Sequence, residues 1–190
     1  SRDWSSACAL PILEQVVVDV RTRADADDAA MAALVDGAGL IYLSGGNPTF
    51  LAQTLADTAV WRSIHAAWLS GASLAGCSAG AMALAGHVPN FRHPRHGGVP
   101  GLSVVPDIRV MPHFDRMAGW LPDFALSLAT AARHAHVIGI DEDTALVGEP
   151  SSAEHWEFRT HGRQHVWEVG PQHRHRVDSP LSLRVATSSR

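Results

Sequence analysis

Two rhythms of apolar residues alternate along this chain, one fitting strands and the other fitting helices. The β-branched run "EQVVVDV" (14–20) predicts a short buried strand. In "ADADDAAMAALVDGAG" (24–39) acidic residues come first, apolar residues recur at helical spacing and glycine closes the stretch, which is the pattern of a helix. "LIYLSGG" (40–46) predicts a strand that runs into a glycine turn. "NPTFLAQTLADTAVWRSIHAAWLSG" (47–71) opens on an Asn-Pro cap and stays helical in pattern, with room for one break. A short strand of small residues, "ASLAGCS" (72–78), then leads into a helix through "AGAMALAG".

The segment 86–101 is rich in His, Pro, Gly and Arg and reads as a loop long enough to form the rim of a site. "LSVVPDIRVMPHF" (102–114) contains a strand, and "MAGWLPDFALSLATAARH" (117–134) a helix interrupted near Pro122. "HVIGIDEDTALVGEP" (136–150) gives two strands around an acidic turn, and "HWEFRTHGRQHVWEVG" (155–170) alternates around His-Gly like a hairpin. Strands alternating with helices predict an α/β fold, a mostly parallel sheet with helices on both faces, followed by the C-terminal hairpin. A single domain is expected over 13–170, with a polar tail over 171–190. Ligands of such sheets sit beyond the C-terminal strand ends. Both glycine turns, Gly45-Gly46 and the stretch from Gly76 to Gly80, fall at such ends.

Composition narrows the function classes. At 190 residues, 46% hydrophobic and 18% charged, the chain has the make-up of a globular domain able to bury a core. A net charge of -4 argues against nucleic acid as a partner. No apolar run reaches bilayer length and no secretory signal is legible, so no membrane association is expected and a cytoplasmic location is. The two cysteines, Cys8 and Cys77, make no disulfide framework. The opening segment "SRDWSSACALPI" lacks periodicity, and "RDWSS" and "CALPI" both resemble a translated sequencing adapter. Residues 1–12 are therefore expected to be a non-native or disordered segment, with Cys8 carrying no function and the domain shortened at its N-terminus.

The chemistry concentrates in "GASLAGCSAGAMALAG" (71–86). Gly76-Cys77-Ser78-Ala79-Gly80 fits G-x-S-x-G, in which a nucleophile sits on a sharp strand-to-helix turn that flanking glycines allow to close. The hydroxyl then stands at the top of the sheet, and the next N–H, that of Ala79, faces a developing oxyanion. The competing reading is that the glycines only pack a strand against a helix. Ser78 holds the apex; Cys77 lies one residue early, and its side chain is expected in the core.

A nucleophilic serine needs a base and an orienting group. Twelve histidines make identity uninformative, but His113 in "VMPHFDR" follows a strand and can share the sheet edge. His93, His96 and His134 fall in loops or at a helix end, and "HPRH" and "HRHR" lack the Cys or carboxylate partners of a metal site. Asp141 and Glu142 stand just after the strand "HVIGI" and are the acids at a third strand end. A solvated turn capped by Asp141 is the alternative.

"IYLSGGNPTFL", "GCSAGAMAL", "GLSVVPDIRVMPHFDR" and "IGIDEDTALV" together resemble the serine peptidase family that includes cyanophycinase and aspartyl dipeptidase (dipeptidase E), in family order between about Leu40 and Val147. The resemblance implies a class I glutamine amidotransferase-like three-layer α/β sandwich. Carried onto this sequence, it implies Ser78 as nucleophile, His113 as general base and Gly46 and Ala79 as backbone oxyanion donors, with Asn47 and Arg116 as substrate contacts. Glu142 matches the acid of the cyanophycinase-like members, with Asp141 in reserve. Dipeptidase-like members draw the acid from between serine and histidine, where Asp107 is the one acidic residue of this sequence.

The implied reaction is amide hydrolysis through an acyl-enzyme, with no metal or organic cofactor. Family substrates centre on aspartyl groups, whose carboxylate calls for a cation; Arg116 is the first choice, with Arg109 and Arg92 behind it. Cyanophycinases carry a denser run of arginines after the histidine than "DRMAGW" offers, so a small aspartyl peptide is expected as substrate rather than cyanophycin. A homodimer is left open. Two other readings remain. A cysteine-type amidotransferase-like enzyme would need the thiol at the apex, and an inactive relic of the fold would bind a ligand or partner.

Overall fold

The computed structural model of the chain describes residues 14–90, 97–117, 135–152, 155–170, 174–177 and 180–184. The expected non-native segment with Cys8, nearly all of the helix expected over 117–134, and Arg92, His93, His96 and His134 lie outside the described residues.

Aspartates divide the single helix expected over 24–39. Thr22 caps α1 (Arg23–Ala26) through a reciprocal box with Asp25, and Asp28 restarts the chain as α2 (Ala29–Ala33) by accepting from the Ala30 and Met31 N–H groups. β1 (Leu40–Leu43), α3 (Pro48–Leu55), α4 (Ala59–Leu69), β2 (Ser73–Gly76) and α5 (Ala79–Leu84) follow the apolar pattern. The break between α3 and α4 falls at Asp57, which has φ +62, and Thr58 caps α4. The run 14–20 is not a strand. It has no ladder partner among the described residues, and Val16 and Val17 are exposed, because β-branched propensity makes a strand only where a neighbour pairs with it.

In 86–101, where composition predicts only a loop, β3 (His87–Pro89) pairs antiparallel with β4 (Gly98–Pro100). Then come β5 (Ile108–Pro112), α6 (Phe114–Met117), β6 (His136–Ile140), β7 (Thr144–Pro150), β8 (His155–Gly162), β9 (Val166–Val169), β10 (Arg174–Arg176) and β11 (Leu181–Arg184). The described strands form four small sheets, β1-β2, β3-β4, β5-β6-β9-β10 and β7-β8-β11. Among the described strands the parallel pairs are β1-β2 and β5-β6, with one isolated parallel bridge between Ala85 and Val105, so the expected mostly parallel sheet gives way to a mixed α/β fold of several small sheets. The hairpin expected within 155–170 does not form. Gly162, at φ +128, ends β8, which pairs with β7 and β11, while β9 pairs with β6 and β10. The hairpin partner of β8 is β7, and the stretch whose polarity predicts a tail supplies the edge strands β10 and β11. On β1 the core side carries Leu43, whereas Leu40 and Tyr42 are 61% and 59% exposed, so helices do not cover both faces of this pair among the described residues. No described helix is long and apolar enough to cross a membrane.

Two features of this frame position the site. Leu43 pairs with Gly76 and Pro112 with Ile140, so in each parallel pair the two strands end level. Helix α5 packs on both β2 and β5, and the Gly86 N–H donates to the Ile108 carbonyl at 3.2 Å, tying the exit of α5 to the start of β5. Leu43, Leu55, Met82, Ile108 and Ile138 form part of the main core beneath these pairs, and Met111, Phe114, Val137 and Val169 form a smaller cluster.

Candidate active site

The turn after β2 is shaped by contacts too close for side chains. A Cβ on Gly76 would lie 2.5 Å from the Gly80 carbonyl carbon and 2.6 Å from the Ala81 nitrogen, and one on Gly80 would overlap the Leu43 carbonyl. These two glycines let α5 start directly against β1 and β2. The chain between them is forced through a tight reversal, and Ser78 adopts φ +52, ψ -110, a conformation that costs a non-glycine residue about 1–3 kcal/mol. Serine at a helix N-cap ordinarily turns its hydroxyl back onto the first-turn N–H groups; Ser78 makes no such bond. Its Oγ lies instead 3.1 Å from His113 Nε2. Close packing and presentation of a hydroxyl are therefore one arrangement.

His113 follows β5 and also has a left-handed backbone, with φ +52. The next residue anchors it. Phe114 is buried in the smaller cluster, where Gly139 makes room for its ring: a Cβ there would lie 2.5 Å from Phe114 Cγ. The His113 carbonyl accepts from the Arg116 and Met117 N–H groups at 3.0 and 2.9 Å, which starts α6. On the far side of the ring, Nδ1 lies 3.2 Å from Glu142 Oε1. A carboxylate can only accept, so this contact assigns the proton to Nδ1 and leaves Nε2 free to accept from the Ser78 hydroxyl. The Arg116 Nε–H donates to Glu142 Oε2 at 3.4 Å, and the Glu142 backbone N–H donates to Asp115 Oδ1 at 3.0 Å. The His113 and Glu142 side chains are 46% and 43% exposed, so the site opens to solvent.

The remaining sequence candidates separate cleanly. Asp141 is 6% exposed and accepts from the His165 N–H at 3.2 Å and from the Trp167 Nε1–H at 3.1 Å, so it does not share the site of its neighbour Glu142. Asp107 precedes β5 and stands at the opposite end of that strand from His113. A Cβ on Gly45 would lie 3.6 Å from Ser78 Cβ, which sets the Gly45-Gly46 turn beside the serine; Gly46 has φ +135. Ala79 is the buried first residue of α5, a position whose N–H has no partner within the helix. The Asn47 side-chain oxygen caps α3 by accepting from the Phe50 N–H at 3.0 Å. Arg109 lies on β5 itself, where burial holds its guanidinium below its ordinary value. Cys77 is exposed rather than in the core. Continuing the strand alternation from Ala75, which pairs with Tyr42, it falls on the open face on the side of the Tyr42 side chain. The neighbouring Cys77 side chain raises the Tyr42 phenol above its ordinary value, with burial adding to it. Among the described residues no group of His, Cys, Asp and Glu side chains is arranged to hold a metal ion.

Phe114, Gly139 and Asp115 are the residues that pattern reading passes over. Glycine in the middle of the β-branched strand "HVIGI" is the one local signal, since strand glycines often mark a close approach.

The model of Peptidase family S51 matches residues 12–155. Cyanophycinases of Trichormus variabilis and of a Nostoc species are each 31% identical over 145 residues, which take in 70% of this chain and 47% of theirs. The chain thus spans about half the length of the curated relatives it matches. The crystal structure of a peptidase from an acI-B1 actinobacterium superposes with a TM-score of 0.72 at 41% identity, over 86% of this chain and 66% of that one. A peptidase E-like protein of Listeria monocytogenes EGD-e, at 16% identity and a TM-score of 0.50 over 80% of this chain and 70% of its own, is similar in fold alone. With most of its length matched by the family model, this chain belongs to peptidase family S51, a family of serine peptidases.

Proposed function

We propose that the protein hydrolyses small aspartyl peptides through an acyl-enzyme on Ser78, with His113 as general base and Glu142 as the orienting acid. One observation carries the reading: a hydrogen-bonded chain runs from Ser78 Oγ through both ring nitrogens of His113 to Glu142, at 3.1 and 3.2 Å, across three strand ends. In this reading His113 Nε2 takes the hydroxyl proton as Ser78 Oγ bonds to the amide carbonyl carbon. The backbone N–H groups of Gly46 and Ala79 receive the oxyanion. The C–N bond then breaks, and the amine leaves with the proton held by His113. Water, deprotonated by His113, attacks the ester and restores Ser78. Glu142 holds the Nδ1 tautomer and stabilises the imidazolium between steps.

The substrate class rests on the family and on charge. Two relatives are named cyanophycinases and a third is named a peptidase, so an amide within a peptide is the shared substrate. Arg116, 74% exposed and held to Glu142 by a long contact, can offer its guanidinium to an aspartyl carboxylate, and Asn47, next to Gly46, is proposed as a second substrate contact. The single arginine of "DRMAGW" favours a small peptide over an arginine-rich polymer. The two parallel strand pairs are read as parts of a glutamine amidotransferase-like three-layer sandwich. Hydrolysis of Asp-Leu, β-Asp-Arg, Glu-Leu and Ala-Leu by the wild type and by Ser78→Ala tests the reading. Turnover of an aspartyl substrate is expected to fall about 10⁴-fold or more in the variant. Equal turnover by both proteins overturns it.

A further inference from the structure

Asp115 reaches the acidic turn from the histidine's side of the site. Its Oδ1 accepts the Glu142 backbone N–H at 3.0 Å, a contact that joins two strand ends and does not involve the Glu142 carboxylate. We propose that Asp115 is a positioning residue that fixes the direction of Glu142 towards His113; this rests on the serine hydrolase reading given above.

Glu142 needs such support because of where it sits. It opens an exposed turn in which Asp143 has φ +54, and its own side chain is 43% exposed. A glutamate has several rotors, and water competes for its oxygens, so its aim at Nδ1 depends on how its backbone is held. The Thr144 hydroxyl donates to the Glu142 carbonyl at 3.1 Å and Asp115 accepts from the Glu142 N–H, so both sides of the residue are tied. Asp115 is itself rigidly coupled to the histidine. It lies between buried Phe114 and Arg116, whose N–H donates to the His113 carbonyl at 3.0 Å. The spacing between His113 Nδ1 and Glu142 Oε1 is thereby set through the backbone.

A second carboxylate so near Glu142 would repel it if charge were the point. Arg116 Nε stands 3.6 Å from Asp115 Oδ2 and 3.4 Å from Glu142 Oε2 and offsets that repulsion. What remains for Asp115 is its acceptor oxygen. An uncharged side chain of the same shape should serve equally, whereas truncation should not.

The test uses the full chain and two readouts, kcat and KM on the best aspartyl dipeptide, and the rate at which a fluorophosphonate probe labels Ser78. Asp115→Ala is expected to lower kcat and the labelling rate about 10- to 100-fold, as misplacement within a reacting geometry does, with KM within about twofold. Asp115→Asn, which keeps the acceptor, is expected within about threefold of wild type. In a Glu142→Ala background, Asp115→Ala is expected to change the rate by less than about twofold, because its effect acts through Glu142. A purely structural role would instead give the same loss in both backgrounds. Should Asp115→Ala not melt cooperatively, Asp115→Ser, whose hydroxyl stops one bond short of Oδ1, stands in with the same expected loss. Equal losses for Asn and Ala, an undiminished loss without Glu142, or wild-type kcat in Asp115→Ala overturn the positioning role. Turnover and labelling that do not depend on Ser78 overturn the hydrolase reading and this inference with it; Ser78-dependent rates indifferent to Asp115 overturn the inference alone.

Discussion

Replacing Gly76 by alanine tests whether the reactive geometry depends on the glycine contacts. The new methyl would lie 2.5 Å from the Gly80 carbonyl carbon, 2.6 Å from the Ala81 nitrogen and 2.8 Å from the Gly80 oxygen. Ordinary contact begins at 3.4 Å, so β2 and the first turn of α5 must part by about 0.9 Å. All three atoms are backbone, and no side-chain rotation can absorb the shift. Overpacking of this kind costs about 1–3 kcal/mol. Ser78 lies between the separated segments and moves with them, whereas His113 is held from β5. A Ser78 Oγ to His113 Nε2 distance of 3.1 Å that lengthens by most of the shift is no longer a hydrogen bond. A misplacement near 1 Å costs about 10²-fold in rate. Melting curves and the labelling rate of Ser78 by a fluorophosphonate, compared between wild type and Gly76→Ala, read both effects. Wild-type labelling in a variant destabilised by the expected amount would refute the coupling of packing to presentation. Wild-type stability would refute the contact geometry itself.

Asp141→Ala separates the two adjacent acids. It leaves the His165 and Trp167 N–H donors without their carboxylate, and a loss of about 2–4 kcal/mol in urea unfolding is expected, with the folded fraction labelling at Ser78 within about threefold of wild type. A rate loss as large as that of Glu142→Ala would contradict this division. His87 predicts a pH dependence of stability. Burial, and then the charge of Arg109, hold its imidazole below the ordinary value of 6.5, so the fold prefers the neutral ring. That preference stabilises fully above 6.5, where the unfolded chain is also neutral, and is lost as the pH falls through the depressed folded value. Melts of wild type and His87→Gln from neutral to mildly acidic pH should show a shallower decline in the variant; equal slopes would count against the assignment.

Strand ends were the legible part of this chain, because each coincides with a change of composition. β1 stops at Gly45-Gly46, β2 at the Gly-Cys-Ser turn, β5 at Pro-His and β6 at Asp-Glu, and these ends bring Ser78, His113 and Glu142 together. Pairing was not legible, since it depends on residues far away. The run "VVVDV" has strand propensity but no partner among the described residues, while the His- and Pro-bearing β3 becomes a strand because β4 is opposite it. Alternation in 155–170 likewise could not tell that β8 and β9 enter different sheets. Spacing also left Asp141 and Glu142 equivalent. They face apart because Trp167 and His165, brought in by β9 and the turn before it, take the first, and Arg116 and His113 take the second.

The stretch "GASLAGCSAGAMALAG" raises a choice between packing and reactivity that the backbone makes unnecessary. Gly76 and Gly80 bring helix and strand backbones into contact, and that contact bends residue 78 to φ +52, ψ -110. A turn that served packing alone would be most relaxed with glycine at its apex, where this conformation is free of Cβ strain. Serine there costs about 1–3 kcal/mol of backbone strain and does not recover it as a cap, because its hydroxyl bonds none of its own helix. What the strain does achieve is direction. With the capping geometry denied, Oγ points off the helix end to His113, whose own backbone is left-handed and whose ring is aimed from the other side by Glu142. Two residues of positive φ on separate strand pairs thus face each other across a 3.1 Å contact, and in the proposed reaction that contact is the path of the proton.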